Sequence, residues 1–264
     1  MTRRSRGIKA VTLVTSTAAC AATVLIGVPA PASAIAGGQY LDWATQAGGM
    51  VSILIDDPYN ACSGALISRT ANNRNSRLVL TARHCFEDDN GNLTGIEKIH
   101  VFNGHNTYGK GTQYEVNQLA TLSVGNTPTD TVVLQLAQRT SSLAFTYNST
   151  TKFPTGNDLR INGYGHNDRT IYNRELKQGT FTVTGNDDTI RYMIRGKGAV
   201  TCSGDSGGPA IDQNGVIVGT VFEGVELANR PSYESCDLKY SDWPHLSLSK
   251  LYNSNIDAQV RSLE

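Results

Sequence analysis

The sequence has no surplus of charge of either sign: its 264 residues carry 23 basic and 23 acidic side chains. There is no basic stripe, which argues against nucleic acid as a partner. Paired C-x-x-C and H-x-x-x-H spacings are missing, which removes the usual zinc frameworks. The twelve-residue calcium loop with its closing Glu is missing too. The acidic stretch Glu87-Asp88-Asp89-Asn90-Gly91-Asn92 therefore reads as a solvated turn, with Asn90-Gly91 as its hairpin signal. No stretch after residue 34 is apolar enough to span a bilayer. Repeats and low-complexity tracts are absent after the same point.

What is present reads as a globular, strand-rich chain. Hydrophobic residues make up 39% and charged residues 17%, and the length suffices for a substantial core. Glycine is abundant at 26, and Val, Ile, Thr and Tyr are frequent. Short strands between many turns point to an all-β fold. Residues 1–34 read as a signal peptide: Arg3, Arg4, Arg6 and Lys9 precede the apolar run from Val11 to Val28, and Ala32-Ser33-Ala34 is a small-x-small cleavage site. Sites ending at Ala32 or Ala36 fit the same rule. Thr12, Thr15, Ser16, Thr17 and Thr23 interrupt the apolar run and Pro29-Ala30-Pro31 ends it, which argues against a membrane anchor. Removal of residues 1–34 leaves a net charge of −4. The expected product is secreted and extracellular, where disulfides persist.

Gly204-Asp205-Ser206-Gly207-Gly208-Pro209 places a serine on a glycine-rich turn before an apolar run. Glycines let such a turn be tight and leave backbone N–H groups free to face a developing negative charge. A serine hydroxyl is a weak nucleophile alone and needs a base and an orienting group. Among the five histidines, His84 stands in Thr81-Ala82-Arg83-His84-Cys85 after the apolar Leu78-Val79-Leu80. Asp130 stands at the head of an expected apolar strand, Thr131 to Leu136. Near the end of the chain, Tyr252, Ile256, Val260 and Leu263 share one face at helical spacing, which predicts a helix over about 249–263.

The serine hexapeptide resembles the active-site segment of the trypsin/chymotrypsin family of serine endopeptidases. Other stretches are similar in the same order. Ile35-Ala36-Gly37-Gly38 resembles the family's Ile-Val-Gly-Gly start, and Cys62-Ser63-Gly64-Ala65-Leu66-Ile67 its Cys-Gly-Gly-Ser-Leu-Ile. The His84 pentapeptide matches Thr-Ala-Ala-His-Cys except at Arg83. Asp130-Thr131-Val132-Val133-Leu134 resembles Asp-Ile-Ala-Leu-Leu. Asn162-Gly163-Tyr164-Gly165 resembles Ser-Gly-Trp-Gly. Gly219-Thr220-Val221-Phe222-Glu223-Gly224 resembles Gly-Ile-Val-Ser-Trp-Gly, departing at Phe222 and Glu223.

The resemblance spans residues 35–264 and implies two antiparallel six-stranded β-barrels. The first would cover about 35–150 and the second about 151–248, joined by the polar stretch from Ser141 to Asn157. It further implies a His84, Asp130, Ser206 triad in the chymotrypsin order, with the Gly204 and Ser206 N–H groups as the oxyanion donors. Four cysteines remain after signal removal, and spacing alone leaves three pairings open. The resemblance implies Cys62–Cys85 and Cys202–Cys236. It also implies that a free amino group on Ile35 pairs with Asp205. The specificity pocket would be formed by Val200, Thr201, Phe222, Glu223, Gly224 and His245. Val200 replaces the aspartate that reads Lys or Arg in trypsin-like relatives, so an apolar or small side chain is expected before the cut bond, and His245 leaves an acidic one open. The implied protein is a secreted, bacterial-type monomer acting on proteins or peptides, without cofactor or metal. Two alternatives stand beside it: a catalytically silent binding protein on the same fold, and a hydrolase with one narrow protein or ester target.

Overall fold

The computed structural model describes residues 35–55, 57–88, 90–166, 174–186, 189–223, 236–242 and 246–264. The signal-peptide reading of residues 1–34, and Gly224 and His245 of the expected specificity pocket, lie outside the described residues, as does the Glu223 side chain.

The first barrel closes in the order β2 (Met50–Ile55), β3 (Asp57–Ile67), β4 (Leu78–Ala82), β7 (Thr127–Leu136), β6 (Thr112–Val124) and β5 (Ile99–Asn103). The second uses β8 (Asp158–Gly163), β9 (Lys177–Asn186), β10 (Arg191–Gly196), β13 (Ser247–Lys250), β12 (Ile217–Glu223) and β11 (Pro209–Ile211). It closes because β8 pairs with both β9 and β11. A short β1 (Gln39–Tyr40) adds to β9 from outside, ahead of a single helical turn, α1 (Trp43–Gln46). All strand pairings are antiparallel, so the expected pair of six-stranded barrels is the architecture observed.

Alternation in the sequence decides which side chains fill each barrel. In β5 and β10 every second residue is buried, the period of a strand with one face inward. Strand β4 is buried throughout because it is covered on both sides. Val51, Ile53, Leu66, Val79, Val101 and Val132 form the first core. Leu159, Ile161, Phe181, Val183, Ile194 and Leu248 form the second. A third cluster, including Leu80, Tyr164, Ile217 and Leu251, joins the two barrels.

Two local expectations are corrected. The terminal helix, α2, spans Ile256–Leu263 and not about 249–263, because Ser247–Lys250 pairs with both β10 and β12. Ile256, Val260 and Leu263 form its buried face, whereas Tyr252 precedes it. Asp130 lies inside β7, three residues after its start, because strand pairing with β6 extends back through Pro128 and Thr127.

Candidate active site

Strand β4 delivers the histidine. Its last residue, Ala82, pairs with Thr131, and Arg83 donates its N–H to the Asp130 carbonyl at 3.2 Å. The chain then turns through a short 3-10 segment, His84–Phe86, pinned by the Cys62–Cys85 disulfide to β3. Arg83, where the resemblance expected alanine, pairs with Glu87 at 2.7 Å. His84 meets Asp130 twice. Its backbone N–H donates to Asp130 Oδ1 at 2.8 Å, and its Nδ1 lies 2.7 Å from Oδ2. The Asp130 side chain is only 9% exposed, so its acceptors are committed to these bonds rather than to solvent. A carboxylate at Nδ1 fixes the tautomer that leaves Nε2 unprotonated.

The Ser206 segment is held against this strand. A Cβ at Gly207 would collide with Thr81 Oγ1 and with the Ala82 backbone N–H, two residues before His84. Only glycine, here at φ +78°, allows that approach. The Ser206 carbonyl accepts from Ser63 N–H at 2.9 Å. The Ser63 hydroxyl donates to the Gly204 carbonyl at 2.7 Å and accepts from Tyr164 N–H at 2.8 Å. Ser63 stands where the family pattern has glycine, and the sequence offered no signal of this role. Behind the turn, Thr131 Oγ1 bonds the hydroxyls of Thr220 and Ser249, tying the residue after Asp130 to the second barrel.

Asp205 is fully buried. Its Oδ1 accepts from Gly165 N–H at 2.8 Å, and its Oδ2 from Cys202 N–H at 2.8 Å and Ile35 N–H at 3.2 Å. Burial pushes its pKa up to about 6, against the lowering effect of these N–H groups and of the Arg174 charge. Ile35 is itself fully buried in the second core. Gly163 and Gly165 leave the carboxylate its space, since a Cβ on either would strike it. Among the described residues, neither the Gly204 nor the Ser206 N–H donates to a protein acceptor. Gly204 is buried and Ser206 partly so, and both N–H groups lie on the turn that carries the serine.

Val200 is fully buried in the second core and gives its N–H to Ala36, and Thr201 is buried beside it. The Cys202–Cys236 disulfide forms next to them. Phe222 sits at a β-bulge between Val221 and Glu223. Such bulges re-aim side chains, and its ring centroid lies 6.1 Å from that of His84. The Arg191 guanidinium stacks on the same ring at 4.2 Å. Concavities of about 640 and 360 Å³, lined around Phe153 and Trp43 respectively, contain no residue of the expected triad.

Comparison with known proteins agrees with this architecture. The sequence finds no match among curated proteins. Among solved structures, a scabies mite inactivated protease paralogue, S-D1, superposes with a TM-score of 0.63 at 16% identity, covering 86% of this chain and 96% of that one. Vibrio cholerae VesB protease gives 0.58 at 17%, covering 82% and 64%. Human heparin binding protein gives 0.59 at 16%, covering 82% and 92%. At these identities the likeness speaks for the fold alone. A family model described as Trypsin matches residues 42–243, most of the chain and parts of both barrels. The chain belongs to the trypsin family.

Proposed function

We propose that this chain is a secreted serine endopeptidase, with Ser206 as nucleophile, His84 as general base and acid, and Asp130 as the orienting carboxylate. The observation that carries the reading is the doubly hydrogen-bonded His84–Asp130 pair. His84 Nε2 takes the Ser206 proton as Oγ attacks the substrate carbonyl, and returns it to the leaving amine. Water then attacks the acyl-enzyme by the same route. Asp130 stabilises the imidazolium formed in between. The Gly204 and Ser206 N–H groups, which no described protein group claims, receive the oxyanion; one such donor is worth about 3–4 kcal/mol.

With Val200 at the pocket base, selectivity is for apolar or small side chains and not strictly for Lys or Arg. A buried charge without a partner there would be costly. The substrates are proteins or peptides, the enzyme acts as a monomer, and its two disulfides suit an extracellular setting. A silent binding protein is the competing reading, since the fold neighbours include an inactivated paralogue. The presence of all three reactive residues in this chain favours catalysis. Labelling with a serine-directed phosphonylating reagent separates the two. A single adduct on Ser206 supports the peptidase, and an unlabelled native protein supports the binding role. A peptide-library digest then separates broad proteolysis from one narrow target.

A further inference from the structure

The Ser203–Gly204 peptide supplies one of the two N–H groups that this mechanism needs. Peptide planarity places the Ser203 carbonyl and the Gly204 N–H on opposite sides of one unit. Whatever holds the oxygen therefore aims the hydrogen. Gly204 has φ +92°, where glycine is free to move, so the aim requires an external hold.

That hold comes from one residue twice. Ser203 O accepts from His166 N–H at 2.8 Å and lies 2.9 Å from His166 Nδ1. A carbonyl only accepts, so Nδ1 carries the proton and Nε2 is left as an acceptor. Arg174 Nη2 lies 3.0 Å from Nε2, and a guanidinium only donates. Both contacts demand the same His166 tautomer. His166 is 8% exposed and Arg174 2% exposed, so the pair is shielded from water. The Arg174 guanidinium lies over the Tyr108 ring at 4.9 Å, and the Arg174 carbonyl accepts from Tyr108 N–H at 2.9 Å. The Tyr108 hydroxyl in turn donates to the Ile53 carbonyl in β2. A Cβ on Gly204 would sit 3.1 Å from Arg174 Nη1, so the guanidinium also backs the peptide directly.

We propose that His166 and Arg174 are positioning residues of the reaction: they clamp the Ser203 carbonyl so that the Gly204 N–H stays turned toward the oxyanion. The chain of contacts runs from β2 through Tyr108, Arg174 and His166 to the serine turn, and so couples the first barrel to the donor. The charge of Arg174 also favours ionised Asp205 in the same turn. This proposal rests on the peptidase reading.

The test compares wild type, H166A, H166N and R174M in steady-state peptide hydrolysis, with thermal unfolding as the fold control. Asn keeps an N–H donor at the Nδ1 position, so it preserves the clamp on Ser203 O. The expected result is a kcat loss of roughly tenfold or more in H166A, with KM changed less than about threefold, because the oxyanion forms only in the transition state. H166N recovers most of kcat, and R174M falls between. If H166A does not fold, H166N is compared with H166Q, which moves the donor outward, and kcat should be higher in H166N. Equal kcat in folded H166A and wild type, or in H166N and H166Q, overturns the clamp while leaving the peptidase intact. A wild type that neither hydrolyses peptides nor labels at Ser206 overturns the peptidase reading and the clamp with it.

Discussion

Ser63 and Ser206 are joined across the two barrels: the Ser63 N–H donates to the Ser206 carbonyl at 2.9 Å. The Ser63 side chain continues the link through its bonds to the Gly204 carbonyl and the Tyr164 N–H. A residue of β3 thus sets the backbone on both sides of Asp205. Ser63→Ala keeps the N–H bond but leaves two buried groups without their partner. At about 1–3 kcal/mol for each orphaned group, a loss of about 2–6 kcal/mol in stability is expected. Urea unfolding measures it, and kcat should fall as well because the Gly204 peptide loses a restraint. A loss below about 0.5 kcal/mol would mean that water replaces the hydroxyl without cost.

Gly207→Ala is expected to be worse tolerated than its size suggests. The residue has φ +78°, where a Cβ costs about 1–2 kcal/mol by itself. That Cβ would also meet the Ser63 carbonyl at 2.5 Å and the Ala82 nitrogen at 2.6 Å, neither of which is a flexible group. Separation of the serine turn from β4 should follow, with activity reduced at least about a hundredfold even in folded protein. Circular dichroism and turnover of the purified variant report the two effects separately. Wild-type turnover would show that the close packing on β4 is dispensable.

The proposed selectivity rests on Val200. A digest of a peptide library should show no strict preference for Lys or Arg before the cut bond. Strict cleavage after those residues would require an acid to enter the pocket from elsewhere, with Glu223 and Glu226 as the candidates in sequence.

Asp205 and Ile35 provide a pH test. With Ile35 in peptide linkage, burial holds the Asp205 pKa at about 6, above its ordinary 3.8. Between these values the folded chain binds more protons than the unfolded one, so this group's contribution to stability falls as pH rises through the window, by about 3 kcal/mol in all. A chain that begins at Ile35 places an ammonium on the same carboxylate, which lowers the Asp205 pKa and raises that of the ammonium. The ammonium's contribution is complete below its unfolded value of about 7.7–8.0 and is lost as pH rises through the higher folded value. In an S206A background that prevents autolysis, the protein starting at Ile35 should gain stability over a form extended by one residue as pH rises from about 4 to 7, and lose that advantage in alkali. Urea unfolding across pH measures this. A difference that does not vary with pH would remove the ion pair from the account. In the active protein, full activity of the extended form would show that the ammonium is not required for turnover.

The fold was legible, and the residues of the proposed triad could be named, because they sit in short segments whose backbone demands are strict. The glycines around Ser206, the cysteine beside His84 and the alternating strands each restrict the local chain to few conformations. The clamp was not legible, because Arg174 and His166 are distant in sequence from the Tyr108 that supports them, and neither lies in a motif of its own. The role of Ser63 was not legible either, since its hydroxyl matters only once β3 lies against the serine turn. The start of α2 was missed because Ser247–Lys250 has too few residues to show strand periodicity on its own. Tertiary pairing with β10 and β12 decided that stretch.

The central claim is that Ser206 is the nucleophile of a peptidase. Steady-state turnover of a peptide substrate by wild type and by Ser206→Ala tests it most directly, with unfolding curves recorded on both. The account predicts a measurable wild-type rate, a fall on the order of 10⁶-fold in S206A, and unfolding midpoints that nearly coincide. A wild type without activity, or an S206A variant with near-normal turnover, would contradict it.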